Sequence, residues 1–168
     1  LTTRTLLNLI IWSLVFVTLQ VLLFRNLALF HYGFCFVYVA TVIMLPFDIG
    51  LITAMFIGFG AGLLVDVFYN TPGMHAAATV LVAYLRPFAI RLLMPPRGYE
   101  ERNEPYISEM GLPWVLTYTA LLVLVHHLAV FFLEAANWNL WLPTLAKVGV
   151  STLFTTLVIT LLQVFRRS

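Results

Sequence analysis

The stretch Phe56-Ile57-Gly58-Phe59-Gly60-Ala61-Gly62-Leu63-Leu64-Val65-Asp66, then Val67-Phe68-Tyr69-Asn70-Thr71-Pro72-Gly73-Met74-His75-Ala76-Ala77-Ala78, decides how the chain folds. No charge interrupts it before Asp66, and small residues recur every fourth position at Ala54, Gly58 and Gly62, with Gly60 widening the stripe. That spacing lays the small residues along one face of an α-helix. Asn70, Thr71, Pro72 and Gly73 read as a turn. His75 and three alanines then open a second helix, whose small side chains suit the stripe. In lipid, such stripes let helix backbones approach closely. Asp66 lies one turn beyond Gly62 on the same face. A carboxylate there is costly unless it is paired or reaches water. It either caps the second helix or bonds the turn, fixing the hairpin, or it contacts a ligand or partner.

The rest of the chain fits a membrane setting. Of 168 residues, 62% are apolar and 10% charged, and the mean hydropathy is +0.99. A soluble domain carries roughly 25% charged residues, and one this small cannot hide so much apolar surface in a single core. The composition excludes a soluble enzyme, a disordered tail and a disulfide-stapled secreted domain. Fourteen Phe, seven Tyr and four Trp suit a lipid-facing, interface-anchored chain. The net charge of +2 is too small to suggest nucleic-acid binding. The single cysteine, Cys35, permits neither an intramolecular disulfide nor a cysteine-based metal motif.

Charges cut the chain into uncharged runs at 5–24, 26–47, 49–65, 67–85, 110–133 and 148–165, each of 17 to 24 residues. About 20 helical residues cross a bilayer. The runs do not alternate polar with apolar, so a β-barrel is excluded. The expected fold is an all-α polytopic membrane protein, one integral domain over 1–168, with six transmembrane helices near 5–24, 30–47, 49–66, 74–93, 112–134 and 144–165. The first run has no small-residue cleavage site and reads as a membrane helix, not a signal peptide. Turns are marked by Arg25 and Asn26 with His31, Tyr32 and Gly33, by Pro46-Phe47-Asp48, and by Asn137-Trp138-Asn139 through Pro143.

With the N-terminus inside, Arg4, Arg86, Arg91, Arg97, Arg102, Arg166 and Arg167 fall on the inner side and only Arg25 and Lys147 on the outer, out of nine basic residues. The positive-inside rule then places both termini in the cytoplasm. The segment 94–111 becomes a cytoplasmic loop, kept from being one helix by its prolines. It is either a solvated connection or a docking patch for a cytoplasmic partner, with Arg86, Arg91, Arg97 and Arg102 as candidate docking residues. Arg86 and Arg91 also suit snorkelling to anionic lipid. Trp138 and Trp141 read as an outer interfacial anchor and Trp114 as an inner one.

His126 and His127 fall in the outer half of the fifth span, and Glu134 shares a face with His127. His127 and Glu134, with Asp66 and His75, make two histidines and two carboxylates on the outer side. No local ligand spacing accompanies them, so no metal site or cofactor is expected. Hydrogen bonds across helices, or contact with the interface, suit the histidines better. The chain has no P-loop, no G-x-S-x-G, no H-E-x-x-H and no nucleophile fixed beside a base.

The block Gly62-Leu63-Leu64-Val65-Asp66, followed by Pro72-Gly73 and a small-residue helix, resembles the rod shape-determining protein MreD family. The likeness extends more loosely to Leu45-Pro46-Phe47, Leu85-Arg86-Pro87, Gly98-Tyr99, His126-His127 and Phe131-Phe132-Leu133-Glu134. The resemblance implies a non-enzymatic subunit of the bacterial elongation (Rod) complex in the inner membrane, which scaffolds or regulates peptidoglycan synthesis and maintains rod shape. It implies MreC as the partner, docked helix on helix, with MreB, RodA and a class B penicillin-binding transpeptidase in the complex. It also implies a fold like the S components of energy-coupling-factor transporters. From that fold follows an alternative reading, a small-molecule-binding membrane subunit of a transporter, using the outward Asp66, His75, His127 and Glu134. On the scaffold reading Ala54, Gly58, Gly60, Gly62, Asp66, Pro72, Gly73 and His75 form the helix-packing or partner-binding set.

Overall fold

The computed structural model describes residues 3–29, 32–96, 98–99 and 104–166. The expected turn residue His31 and the docking candidates Arg97 and Arg102 lie outside these. Helix α1, Thr3–Leu19, continues through a π-helical turn, Gln20–Phe24. Strands β1, Ala28–Leu29, and β2, Gly33–Phe34, form a small antiparallel ladder. A 3-10 turn, Val37–Val39, leads into the single-turn helix α2, Ala40–Ile43. Then come α3, Leu51–Tyr69, α4, Met74–Leu92, the short α5, Ile107–Met110, α6, Leu112–Ala135, and α7, Trp141–Arg166.

The β1–β2 ladder and the α3–α4 and α6–α7 turns gather at one end of the bundle, where Arg25 lies over the Tyr69 ring and Lys147 meets Glu134. We call this the hairpin end. The start of α1 and the end of α7 lie at the other end: Asn8 and Leu9 line a cleft with Pro46 and Tyr106, and Gln163 accepts a bond from the Ile107 N–H. We call this the terminal end.

Among the described residues, four helices are long and apolar enough to cross a membrane: Leu7–Phe24, Leu51–Tyr69, Leu112–Ala135 and Trp141–Phe165. Helix α4 is as long as α3, at 19 residues, but carries His75, Arg86 and Arg91 and is less apolar. Ile11, Leu22, Phe56, Val67, Leu153 and Phe165 are exposed, while Gln20, Asp66, His75, Arg86, His126, His127 and Ser151 are buried within a largely apolar core. A broad exposed apolar surface, with the buried polar groups satisfied inside, is what a lipid solvent selects. The chain is a helical membrane protein.

The segment 30–47 departs from expectation. A transmembrane helix is expected there, and of its described residues, 32–47, only α2 and the 3-10 turn are helical. The remainder is extended or irregular, yet it runs from the hairpin end, where Phe34 meets Ser151, to the terminal end, where Leu45 and Pro46 meet Arg86. Its composition explains this. Phe34, Phe36, Val37, Tyr38, Val39, Thr41, Val42 and Ile43 are aromatic or β-branched, the types that disfavour helix and favour extended chain, and Pro46 closes the run. Extended and 3-10 residues also rise further per residue, so this short stretch reaches roughly 25 Å.

Irregular backbone is tolerated at membrane depth only when buried in protein. Val37, Tyr38, Val39, Ala40, Val42 and Ile43 are fully buried. Side chains of the surrounding helices replace the missing helical bonds. Ser151 and Thr155 accept from the N–H groups of Phe34 and Phe36. Gln20 donates to the Cys35 carbonyl at 3.0 Å, and Tyr118 donates to the Ile43 carbonyl at 3.1 Å. Arg86 takes the carbonyls of Leu45 and Pro46.

Candidate functional site

The α3–α4 hairpin is the most tightly specified unit. Ala54, Gly58 and Gly62 are buried against α4. A Cβ built on Gly62 would lie 2.5 Å from the Ala76 Cα and 2.6 Å from the His75 carbonyl oxygen, and one on Gly58 would lie 3.0 Å from the Thr79 carbonyl oxygen. Only glycine permits this approach at Gly62. The seam is therefore filled by α4 and is not open to a partner. Gly60, expected to widen it, has open space where a Cβ would go. It lies two residues from each seam glycine, on another face of the helix.

Asp66 ends the stripe as a cap. Its carboxylate accepts from the backbone N–H groups of His75 and Ala76, both at 3.0 Å, and from the Thr71 hydroxyl at 2.9 Å. These N–H groups are orphans at the start of α4, and a carboxylate there also meets the positive end of the helix dipole. Asn70 closes α3 in the left-handed region and Gly73 precedes α4 with φ +81°, which keeps the turn short. Pro72 and Gly73 are exposed.

Beside this cap lies an aromatic and imidazole cluster. The Tyr38 hydroxyl is 3.0 Å from His75 Nδ1 and 2.6 Å from His126 Nε2. It has one proton, so it donates to one imidazole and accepts from the other. His127 Nδ1 is 2.8 Å from the Val123 carbonyl. A carbonyl only accepts, so this nitrogen carries the proton. The Phe36 ring is packed among His75, His126 and His127, with centroids 5.0, 5.7 and 5.5 Å away. His127 Nε2 lies 3.4 Å from the Thr155 hydroxyl, so His127, like Tyr38, bridges two partners. Among the described residues, no group of three His, Cys, Asp or Glu side chains is arranged to hold a metal.

At the terminal end the expected docking residue Arg86 proves buried, 2% exposed. Its Nε donates to the Tyr118 hydroxyl at 3.0 Å and its guanidinium sits 5.9 Å from the Phe47 ring centroid. Its Nη2 donates to the carbonyls of the irregular segment, so its side chain points into the interior and not to the surface. Arg91 is exposed, bonded to the Pro87 carbonyl and lying over Phe88. Trp114, expected as an inner anchor, donates to the Leu93 carbonyl and stacks on Tyr118 at 4.7 Å.

A cleft of about 360 Å³ opens at the hairpin end, lined by Arg25, Phe34, Phe36, Tyr69, His75, Phe131, Glu134 and Lys147 among others. Glu134 pairs with Lys147 at 2.6 Å, whereas His127 faces Phe36 in the interior. The cleft thus brings His75 and Glu134 to one place, while Asp66 is occupied by the α4 cap and His127 by the core. Sequence reasoning missed Gln20, Tyr38, Tyr118, Ser151 and Thr155. Their signal was a polar side chain within an otherwise apolar run, which in lipid must find a partner.

The fold and this site define a polytopic helical membrane protein whose polar groups brace its own interior. Compared with protein-family models, curated proteins and solved structures, the chain finds no match.

Proposed function

We propose that the chain is a non-enzymatic inner-membrane subunit of the bacterial cell-elongation machinery, of the MreD type, which scaffolds or regulates peptidoglycan synthesis through helix docking with a single-pass partner of the MreC type. One observation carries the reading: the scattered pieces that resemble the MreD family interlock. Arg86 of Leu85-Arg86-Pro87 bonds the carbonyls of Leu45 and Pro46, and Tyr99 of Gly98-Tyr99 packs on Phe47 at 4.9 Å. At the other end Asp66 of the Gly62–Asp66 block caps the helix that begins after Pro72-Gly73. His75 of that helix meets His126 through Tyr38. Pieces far apart in sequence thus make one framework.

On this reading the irregular segment 34–46 is a sixth crossing, and the terminal end, with Arg86 and Arg91, faces the cytoplasm. The partner docks on the outer helix faces, since α4 fills the glycine seam. MreB, RodA and a class B penicillin-binding transpeptidase are the further complex members. Depletion of the chain from its rod-shaped host should turn rods into spheres, with return to rods on re-expression. Cells that stay rod-shaped and grow at a normal rate would refute the proposal.

The hairpin-end cleft favours a second reading, a small-molecule-binding membrane subunit of a transporter. A soluble ligand retained through purification, together with an ATPase pair, would support it over the first.

A further inference from the structure

We infer that the hairpin-end cleft is a binding site for the phosphate-bearing headgroup of an anionic lipid, a proposal independent of the elongation-complex reading and a different occupant from the soluble ligand of the second reading. Its rim carries Arg25, Lys147 and Glu134, a surplus of one positive charge. Lys147 is held in place: its ammonium lies 4.7 Å from the Phe34 ring centroid and 4.4 Å from that of Phe131, and its side chain is 23% exposed. The aromatic faces fix the position of the cation, and its partial withdrawal from water strengthens its attraction for an anion that shares it with Glu134.

The Arg25 guanidinium sits 5.7 Å from the Tyr69 ring centroid. Among the described residues it pairs with no carboxylate. Asp66, on the neighbouring hairpin, is not among the residues that line the cleft. Both of its oxygens are taken by His75, Ala76 and Thr71.

The walls are apolar and aromatic, supplied by Phe34, Phe36, Val130, Phe131 and Leu133. A cationic rim over apolar walls is complementary to an amphiphile, not to a fully hydrated ion. Depth agrees. Arg25 follows the last turn of α1, Glu134 lies in the last turn of α6, and Lys147 in the second turn of α7. Basic side chains at helix ends meet lipid headgroups.

The test uses the full chain in phosphatidylcholine nanodiscs, titrated with phosphatidylglycerol and read by native mass spectrometry. We expect one phosphatidylglycerol retained per chain, and no comparable retention of phosphatidylcholine. Arg25→Gln with Lys147→Gln should weaken retention roughly 30-fold, the combined worth of two basic residues at a membrane surface. Glu134→Gln, which frees Lys147, should strengthen retention; a merely structural role for the Lys147–Glu134 pair predicts no gain. Unchanged retention in the double variant, equal retention of phosphatidylcholine, or no gain in Glu134→Gln would overturn the proposal. Displacement of the lipid by millimolar inorganic phosphate would overturn it too, because the apolar walls would then contribute nothing.

Discussion

Arg86 Nε donates to the Tyr118 hydroxyl across 3.0 Å, and Tyr118 donates in turn to the Ile43 carbonyl at 3.1 Å. The other arm of the guanidinium takes the carbonyls of Leu45 and Pro46. An arginine keeps its charge under all ordinary conditions, and among the described residues no carboxylate pairs with this one. Carbonyls that a regular helix would have consumed are free here. The buried cation and the irregular segment therefore satisfy each other, and neither is tenable alone.

Arg86→Met should lower stability by about 3 kcal/mol, because it leaves the Leu45 carbonyl without a partner in the interior and takes one bond each from the Pro46 carbonyl and the Tyr118 hydroxyl. Arg86→Lys should be intermediate, since one ammonium cannot reproduce a planar fork. Thermal unfolding of the purified chain in mild detergent, followed by tryptophan fluorescence, measures both. A wild-type midpoint for Arg86→Met would contradict this account of the segment.

Gln20 makes a second brace. Its amide bonds the Cys35 carbonyl at 3.0 Å and the Tyr69 hydroxyl at 2.7 Å. Gln20→Leu should cost about 1–3 kcal/mol and loosen the start of the irregular segment. Cys35, the single cysteine and 1% exposed, reports on this directly. A membrane-permeant maleimide should label it slowly in the parent chain and markedly faster in the variant.

Gly62 and Gly60 make a matched pair. Gly62→Ala forces α3 away from α4 and should destabilise the hairpin by about 1–3 kcal/mol. Gly60→Ala meets nothing within 4 Å and should be neutral or stabilising by up to about 1 kcal/mol, through helix propensity alone. Equal effects at the two positions would show that the seam is not where the geometry puts it.

Asp66→Ala removes the acceptor of two orphan N–H groups and should cost about 1–2 kcal/mol. Asp66→Asn keeps one acceptor oxygen and should cost less. Hydrogen exchange at the His75 and Ala76 amides should quicken in the order parent, Asn, Ala.

The hairpin was legible in the sequence because its signal is local. A four-residue spacing of small side chains specifies one helix face, and an acid nine residues before His75 reaches the next helix start across a short turn. Gly60 was misplaced because composition alone does not distinguish a seam from its flank. The segment 30–47 was misread because an uncharged run of the right length says nothing of conformation; the density of aromatic and β-branched residues was the informative feature. Arg86 was read as a surface cation because its partners are main-chain carbonyls some forty residues away, which no side-chain pattern announces. Glu134 was grouped with His127 by helical spacing, but its partner Lys147 comes from the antiparallel neighbour α7.

The most direct test of the elongation-complex proposal is affinity purification of the tagged chain from native membranes in mild detergent, read by mass spectrometry. The account predicts stoichiometric recovery of a single-pass protein with a coiled coil and a periplasmic domain, accompanied by elongation enzymes. Recovery of an ATPase pair with a long membrane coupling subunit, and no such single-pass protein, would contradict it.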